Sequence, residues 1–383
     1  MSRAQLPFGL TDEALAAAMS EEDPESLAAA SRMRAGYGPE LAAAALTQAT
    51  LRRQAKAKFG DTAAQMFFTR AGLEQATRPE VADHHASRFI QAGVHRVIDL
   101  GCGIGSDSLA FARAGLEVVS VDVDPVTAAV AQANLAALAE VICADADKVA
   151  EQLITPGVGV FCDPARRNDR GRLWRVEEFE PRWSTVLWLL DGTRTAGVKL
   201  GPALPHALIP ESVEAEWITD HGETVEVGLW SGPGSIPGQH SALIMPNARL
   251  VVATAPPLSV RDLGGYVYEP AGAVIRAGAI AELGAQLGAG LLDPRVAYLT
   301  NDRLCSTPFA AAFEVRQRLP FHLKALRAWV RQAQVGVLEI KKRGIDVDPA
   351  ELRRRLRLAG PKSATIVISR TPNGALAAVV ERV

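Results

Sequence analysis

The sequence contains few cysteines and no long apolar run. Its four cysteines form no Cys-x-x-Cys pair, so we expect reduced thiols rather than a disulfide framework or a cysteine zinc site. No stretch reaches the roughly 18 consecutive apolar residues of a membrane span, and the first residues lack the basic and apolar regions of a secretory signal. The histidine pair His84–His85 occupies adjacent helix positions, which do not face one site. We therefore expect a cytoplasmic protein without a metal site or a membrane segment.

Charge is distributed unevenly along a chain that is nearly neutral as a whole. The formal net charge of the 383 residues is −2. Residues Glu314 to Val383 contain 15 Lys and Arg against 6 Asp and Glu, a net of +9, so the remainder carries −11. Lys341, Lys342 and Arg343 end a predicted strand, and an arginine cluster at 353–357 lies on a predicted helix. This asymmetry favours an anionic partner for the basic end, although a solvated helix face would also explain it.

The chain is organised into a helical start followed by strand–helix alternation. Alanine-rich segments with turn signals between them predict helices over residues 1–85. From Arg96 onward the alternation predicts βαβ units and a parallel sheet, with strands at 97–100, 117–121, 141–144, 158–162, 197–200, 213–218 and 224–230. A hairpin is expected around Asn247, and Ala255-Pro256-Pro257 has the composition of a linker. We predict a sheet domain over residues 86–254.

A second α/β pattern follows over residues 258–383. It predicts strands near 265–268, 296–299 and 311–319 and a helix near 274–286. Its end predicts a helix at 324–334, a strand at 336–341, a helix at 349–358 and strands at 364–369 and 374–380. This pattern is typical of an α+β layer of ferredoxin type.

The segment 50–58 is a basic helical stretch, either a solvated helix face or a phosphate-contacting surface.

The run Val97-Ile98-Asp99-Leu100-Gly101-Cys102-Gly103-Ile104-Gly105 carries most information about function. An apolar strand ends in an acid, and glycines at alternate positions allow a sharp turn and close approach of a ligand to the backbone. Asp122 ends the next apolar run, where a carboxylate suits the two hydroxyls of a ribose. The dinucleotide fingerprint Gly-x-Gly-x-x-Gly is not matched, because its third glycine position is Ser106. NAD binding and an empty structural turn stay open as alternatives.

The pattern Asp-x-Gly-x-Gly-x-Gly resembles motif I of class I S-adenosylmethionine (SAM) methyltransferases. The resemblance implies that Gly101, Gly103 and Gly105 line the SAM site and that Asp99 stabilises the cationic part of SAM. It further implies that Asp122 binds the ribose and that Asp145, after the third strand, faces the adenine amino group, unless Asp145 is only a helix cap. Thr77, Pro79 and Glu80 are similar to a segment that lines the donor site in trimethylguanosine synthases. Thr77 and Glu80 also fit a capping box.

Asp163-Pro164-Ala165-Arg166, just past the fourth strand, resembles motif IV of nucleic-acid methyltransferases. The resemblance implies that the Asp163 carboxylate and the Pro164 region orient a target amino group. Ala165 stands where the motif has a second proline, and Arg166 stands where it has an aromatic residue. Arg166 and Arg167 could stack on a base or bind a phosphate, or could pair with carboxylates. Trp174 is a further candidate for base stacking.

Together these motifs, with the end Leu338-Glu339-Ile340-Lys341-Lys342-Arg343-Gly344, look like bacterial class I SAM methyltransferases with a C-terminal THUMP-like domain. The resemblance implies an α/β fold with a Rossmann-like seven-stranded sheet, SAM as cofactor and methylation of a base nitrogen in structured RNA, such as tRNA or rRNA. Small-molecule or protein methylation, a non-catalytic RNA-binding module that keeps SAM, and nucleophilic catalysis by Cys162 or Cys305 are the alternatives. The oligomeric state stays open, with a monomer among the options.

Overall fold

The computed structural model describes residues 6–166 and 176–383. These residues divide into two units. The first comprises the described part of Met1–Ala215 together with Val227–Gly238, and the second comprises Glu216–Glu226 together with Gln239–Val383. This division differs from the three predicted segments 1–85, 86–254 and 258–383, and those bounds stay a prediction. Within the described ranges, no helix is both long and apolar enough to cross a membrane.

The first unit begins with helices, as the alanine-rich segments predict. Thr11 and Ser26 act as N-caps by accepting hydrogen bonds from the N–H groups of Ala14 and Ala29, which satisfies orphan donors at the helix starts. Four alanines of the long third helix, Ala42, Ala45, Ala49 and Ala55, are buried and pack in one apolar cluster with Ile104. The helices are α1 (Asp12–Ser20), α2 (Leu27–Tyr37), α3 (Pro39–Phe59), α4 (Arg70–Gln75) and α5 (Pro79–Gln91).

The basic stretch at the end of α3 serves the fold of this unit. Arg52 is buried and donates to the Met66 carbonyl at 2.8 Å. Arg53 donates to the Glu22 carbonyl at 2.6 Å, and Lys58 donates to the Leu73 carbonyl at 2.8 Å. These contacts favour a structural role for the segment over a phosphate-contacting one.

A nine-stranded sheet follows the helices. Its order is β11-β10-β8-β9-β7-β4-β1-β2-β3. The strands are β1 (Arg96–Leu100), β2 (Glu117–Asp122), β3 (Glu140–Cys143), β4 (Gly159–Cys162), β7 (Ala196–Leu200), β8 (Glu214–Asp220), β9 (Glu223–Ser231), β10 (His240–Ile244) and β11 (Ala248–Val251). All seven predicted strands are present, and the predicted hairpin forms β10 and β11. The expected count of seven is therefore corrected to nine, since the hairpin joins the same sheet.

The order of the parallel strands creates the position of the site. The strand β1 pairs in parallel with β2 on one side and with β4 on the other, β2 pairs with β3, and β4 pairs with β7. The direction of chain progression therefore reverses between β1 and β4, and ligands bind outside the carboxyl ends of strands at such a switch point. The helices that connect these strands are α6 (Ser106–Arg113), α7 (Pro125–Leu135), α8 (Ala146–Leu153) and α9 (Trp183–Leu189). A two-stranded ladder joins β5 (Ala165–Arg166) to β6 (Phe179–Glu180).

The second unit contains a mixed seven-stranded sheet in the order β13-β14-β12-β15-β18-β17-β16. Its strands are β12 (Tyr266–Pro270), β13 (Gly290–Asp293), β14 (Val296–Asn301), β15 (Ala310–Pro320), β16 (Val335–Arg343), β17 (Lys362–Thr371) and β18 (Gly374–Arg382). Its helices are α10 (Gly272–Ala277), α11 (Ile280–Leu287), α12 (Leu323–Gln332) and α13 (Pro349–Leu356). The sequence did not predict strand β13. The predicted helix 274–286 is two helices, because Gly278 adopts a left-handed conformation with φ of 83° and ends α10.

The predicted α+β character of the C-terminal part is confirmed, with one correction of detail. From β15 the chain runs β-α-β-α-β-β, whereas a ferredoxin-type layer runs β-α-β-β-α-β. The strands β16 and β17 are parallel neighbours joined through α13. The apolar faces of α12 and α13, with Leu326 and Leu352 among their buried residues, pack on this sheet.

Candidate active site

A cavity of about 610 Å³ opens at the carboxyl ends of the parallel strands in the first unit. Each of the five parallel strands contributes to its lining with a residue that ends or follows the strand: Gly101 after β1, Asp122 in β2, Asp145 after β3, Asp163 after β4 and Lys199 in β7. This volume lies within the range of small-molecule sites. The topology therefore brings together residues that are up to about a hundred positions apart in sequence.

The glycine-rich turn forms the floor of this cavity. Gly101, Gly103 and Gly105 all have positive φ, at 78°, 56° and 84°, which side chains disfavour. A Cβ on Gly101 would lie 2.9 Å from the backbone oxygen of Asp163, whereas a Cβ on Gly103 would meet nothing within 4 Å. Gly101 and Gly103 line the cavity, and Gly105 instead caps α6 against Leu135. The turn thus leaves bare backbone toward a ligand at Gly103.

Asp122 and Asp145 both line the cavity. Asp122 accepts hydrogen bonds from the N–H groups of Gly103 at 2.9 Å and Asp124 at 3.0 Å. Burial raises the pKa of the Asp122 carboxyl, against the opposing effect of these N–H donors. Asp145 is the N-cap of α8 and accepts from the N–H of Asp147 at 3.0 Å. Asp145 therefore caps the helix, which was one of its two predicted roles. It also lies in the cavity wall, and its contact with an adenine stays a prediction.

Asp99 lies behind the turn and is not among the described residues that line the cavity. Its carboxyl is 1% exposed, and the Ser108 hydroxyl donates to Oδ2. No hydrogen-bond partner of Oδ1 is present among the described residues. Burial, together with the nearby Asp107 charge, raises the pKa of Asp99 to about 8. The predicted stabilisation of a bound cation by Asp99 stays a prediction, and it would act from beneath the turn.

Asp163 and Lys199 form an ion pair in the wall of the cavity. The Lys199 ammonium donates to Asp163 Oδ2, and both side chains line the cavity. The Asp163 backbone N–H donates to the Leu100 carbonyl at 3.1 Å, which anchors this residue to β1. Pro164 also lines the cavity. The side chain of Arg166 and all of Arg167 and Trp174 lie outside the described residues, so their predicted roles stay predictions.

Thr77 connects this ion pair to a buried acid. Lys199 Nζ donates to Thr77 Oγ1 at 3.0 Å, and the Thr77 hydroxyl donates to Asp107 Oδ2 at 2.5 Å. Asp107 Oδ1 lies 2.8 Å from Nδ1 of His85, which is fully buried. Burial alone would raise the pKa of Asp107, but His85, Lys199 and Thr77 outweigh burial and lower it. Asp107 is therefore ionised.

The predicted capping box of Thr77 and Glu80 is not formed. The N-cap of α5 is Arg78, which makes no side-chain capping bond, and Pro79 occupies the first helical turn as expected. The Thr77 hydroxyl donates to Asp107 instead. Ser106 Oγ donates to the Thr77 carbonyl at 2.8 Å, and together the two bonds tie this segment to α6.

Lys199, Asp107 and His85 are candidate functional residues that the sequence analysis did not select. Lys199 interrupts the otherwise apolar strand Ala196–Leu200 near its carboxyl end. A charged residue at the carboxyl end of a parallel strand is a sequence signal for a site residue. Asp107 lies in the first turn of α6, where acids are common in any helix, and His85 stands next to His84. Nothing in their spacing along the chain indicated that they meet.

The alternative of a cysteine nucleophile gains no support. Cys162 is fully buried in β4, and burial raises the pKa of its thiol well above the usual value. Attack on a pyrimidine ring requires a thiolate. Cys305 belongs to the second unit and does not line the cavity, whose described lining residues all belong to the first unit.

The residues of the cavity fit SAM by three observations. The Gly103 backbone has open space beside it. Each Asp122 oxygen accepts one N–H and retains capacity for a ribose hydroxyl. Asp145 offers a carboxylate oxygen at the next strand end. Asp163 and Lys199 line the same cavity.

Known protein families match three segments of the chain. A methyltransferase domain matches residues 97–155, a THUMP-like domain matches residues 310–382, and a domain of unknown function matches residues 12–55. The chain is 35% identical over 359 residues to proteins of Mycobacterium tuberculosis described as an uncharacterized S-adenosylmethionine-dependent methyltransferase (Rv3037c in strain H37Rv, MT3122 in strain CDC 1551). That alignment covers 91% of this chain and 98% of each relative.

A solved structure shares the fold over nearly the whole length. The crystal structure of a Porphyromonas gingivalis W83 protein assigned to the methyltransferases superposes with a TM-score of 0.78 and 22% sequence identity. The superposition covers 97% of this chain and 98% of that one. At this identity the likeness concerns the fold.

Proposed function

The chain belongs to the S-adenosylmethionine-dependent methyltransferases and carries a C-terminal THUMP-like domain, and we propose that it methylates a base nitrogen of structured RNA. The observation that carries the proposal is the position of Asp163. Its carboxylate lies at the carboxyl end of β4, beside the switch point of the sheet and in the wall of the cavity. This position supports a role for Asp163 in orienting a nucleophilic nitrogen toward the methyl group of SAM.

The donor half of the cavity is assigned to residues of three strand ends. Asp122 holds the two ribose hydroxyls, Asp145 faces the adenine, and the backbone at Gly101 and Gly103 lies against the amino-acid part. Asp99 adds negative charge beneath the turn once it ionises. When bound, SAM supplies an electrophilic methyl group on a sulfonium that loses its charge on transfer.

The acceptor half is assigned to Asp163 and Pro164. The Asp163 carboxylate accepts a hydrogen bond from an N–H of the acceptor, which aims the nitrogen lone pair, and takes the proton that the nitrogen loses. Orientation of two reactants can contribute several kcal/mol to catalysis, and a placed proton acceptor commonly contributes about a hundredfold or more. Arg166 is proposed to hold a base or a phosphate of the acceptor.

RNA as the acceptor is supported by the charge of the THUMP-like domain. Within the described residues, Lys324, Arg331, Arg354 and Arg357 are exposed and form no ion pair. They lie on or next to α12 and α13, which are joined by a hydrogen bond from Arg327 Nε to the Arg355 carbonyl at 2.8 Å. Unneutralised cations on neighbouring helices suit phosphates.

A methyl-transfer assay tests the proposal. RNA, protein and small-molecule fractions are prepared from cells that lack the gene, and each is incubated with the purified full chain and SAM labelled in the methyl group. We expect label in the RNA fraction, in a methylated nucleoside that mass spectrometry identifies. The matched control is the Asp163→Ala variant, which should bind SAM and transfer little label. Label confined to the protein or small-molecule fraction would refute RNA as the acceptor and support one of the alternative methyltransferase functions.

A further inference from the structure

The chain of hydrogen bonds from His85 to Asp163 has a defined direction. Asp107 is ionised, so its oxygens only accept, and the single hydroxyl hydrogen of Thr77 must point to Asp107 Oδ2. The Thr77 oxygen can then only accept from Lys199, at 3.0 Å. Lys199 therefore donates to Thr77 and, as the cation of the ion pair, to Asp163.

The support for Lys199 is rigid. Its strand, β7, lies between β4 and β9 in the sheet and pairs with both. The Lys199 side chain is 13% exposed, while the Asp163 side chain is 33% exposed toward the cavity. The ammonium is thus held from behind by Thr77 and a central strand, and it presents one N–H to Asp163. A charge held in this way fixes the direction of the carboxylate as well as its ionised state.

We propose that Lys199 is a positioning residue for methyl transfer: it holds the Asp163 carboxylate ionised and directed, so that Asp163 meets the acceptor as a hydrogen-bond acceptor. This inference rests on the proposed role of Asp163. Thr77, Asp107 and His85 complete the support, because each one fixes the hydrogen-bond direction of the next. Lys199 itself takes no proton from the acceptor, because an ammonium ion has no lone pair that could accept one.

The test compares three variants of the full chain on whichever cell fraction the wild-type enzyme labels. The Lys199→Met variant removes the charge, Lys199→Arg keeps it, and Lys58→Met removes a nearby cation that bonds to the Leu73 carbonyl rather than to Asp163. Initial rates are measured across pH, and SAM affinity is measured by calorimetry. The other titratable and charged groups around the Asp163–Lys199 pair are Asp99, Asp107, Asp147, Cys162, His85, Lys58 and Arg78. All of them except Lys58 in its own variant keep their side chains, and Lys199→Arg keeps the charge that acts on Asp99 and Asp107.

We expect Lys199→Met to lower kcat at least tenfold at neutral pH with SAM affinity changed less than twofold. The acidic limb of its pH–rate profile should move up by about one unit or more, because a nearby opposite charge lowers a carboxyl pKa by about that amount. Lys199→Arg should restore the acidic limb, and Lys58→Met should leave it in place. An unmoved limb in Lys199→Met would overturn the proposal. Loss of the limb altogether would also overturn it, since Lys199 would then itself be the titrating group.

The two proposals fail in different ways. Label in the protein fraction refutes RNA as acceptor, and the same Lys199 variants are then compared on protein. If no fraction is labelled, a measurement that needs no acceptor still tests the inference. In thermal unfolding at neutral pH, Lys199→Met and Asp163→Asn should each shift the midpoint, and the double variant should shift it by less than their sum. Additive shifts would show that the pair is not coupled and would overturn the inference.

Discussion

Replacing Asp99 by asparagine tests the electrostatics beneath the glycine-rich turn. Burial of the Asp99 carboxyl and the neighbouring Asp107 charge raise its pKa to about 8, whereas its ordinary value is 3.8. Between these two values the folded protein binds one proton more than the unfolded chain. The contribution of Asp99 to stability is therefore fully present at the acidic end and is lost as the pH rises through this window.

The magnitude follows from the width of the window. Each pH unit inside it removes about 1.4 kcal/mol from the free energy of unfolding, so about 3 kcal/mol is lost between about pH 5 and about pH 7. Asparagine has nearly the shape of a protonated aspartate and no proton to lose. Relative to wild type, Asp99→Asn should therefore gain up to about 3 kcal/mol in the free energy of unfolding over this interval.

The assay is urea unfolding of the SAM-free protein at the two pH values. Hydrogen exchange of peptides that span β1 assigns the change to the first unit. Asp124→Asn is the matched control, because hydrogen bonds from Thr127 lower the pKa of Asp124 and this group stays ionised throughout. If the stability of Asp99→Asn relative to wild type is the same at both pH values, the carboxyl is not protonated in the folded protein and the reasoning is wrong.

Three further predictions concern the donor, the acceptor and the RNA. Asp122→Ala should weaken SAM binding more than tenfold, about 1.4 kcal/mol, with the fold retained; calorimetry that gives wild-type affinity would contradict the ribose assignment. Asp163→Ala should lower turnover about a hundredfold while SAM still binds, and normal turnover would place the acceptor site elsewhere. Replacing both Arg331 and Arg354 by alanine should reduce the slope of log affinity for RNA against log salt by about two. The control Arg316→Ala removes a cation that is already paired with Glu314 and Glu381, and an equal slope change there would argue against a specific RNA surface.

The sequence predicted the elements of this protein well where local patterns decide them. Alternation of apolar strands with helices located all seven predicted strands of the first sheet, and the glycine positions marked the turn at 101–105. The strand β13 was missed because Gly290–Asp293 is short and directly follows a glycine-rich helix end. The helix 274–286 was predicted as one piece because a single glycine, Gly278, gives only a weak signal for a break.

The sequence by itself identified the residues proposed for the donor half of the site, because the motif residues lie within or next to one turn: Asp99, Gly101 and Gly103, with Asp122 at the end of the next strand. Only the tertiary structure brought Lys199 against Asp163 and Thr77, and Asp107 against Thr77 and His85. These contacts depend on the order of strands in the sheet, which sets β4 between β1 and β7. Local propensity cannot specify such pairings, because strand order is decided by packing among segments that are far apart in the chain.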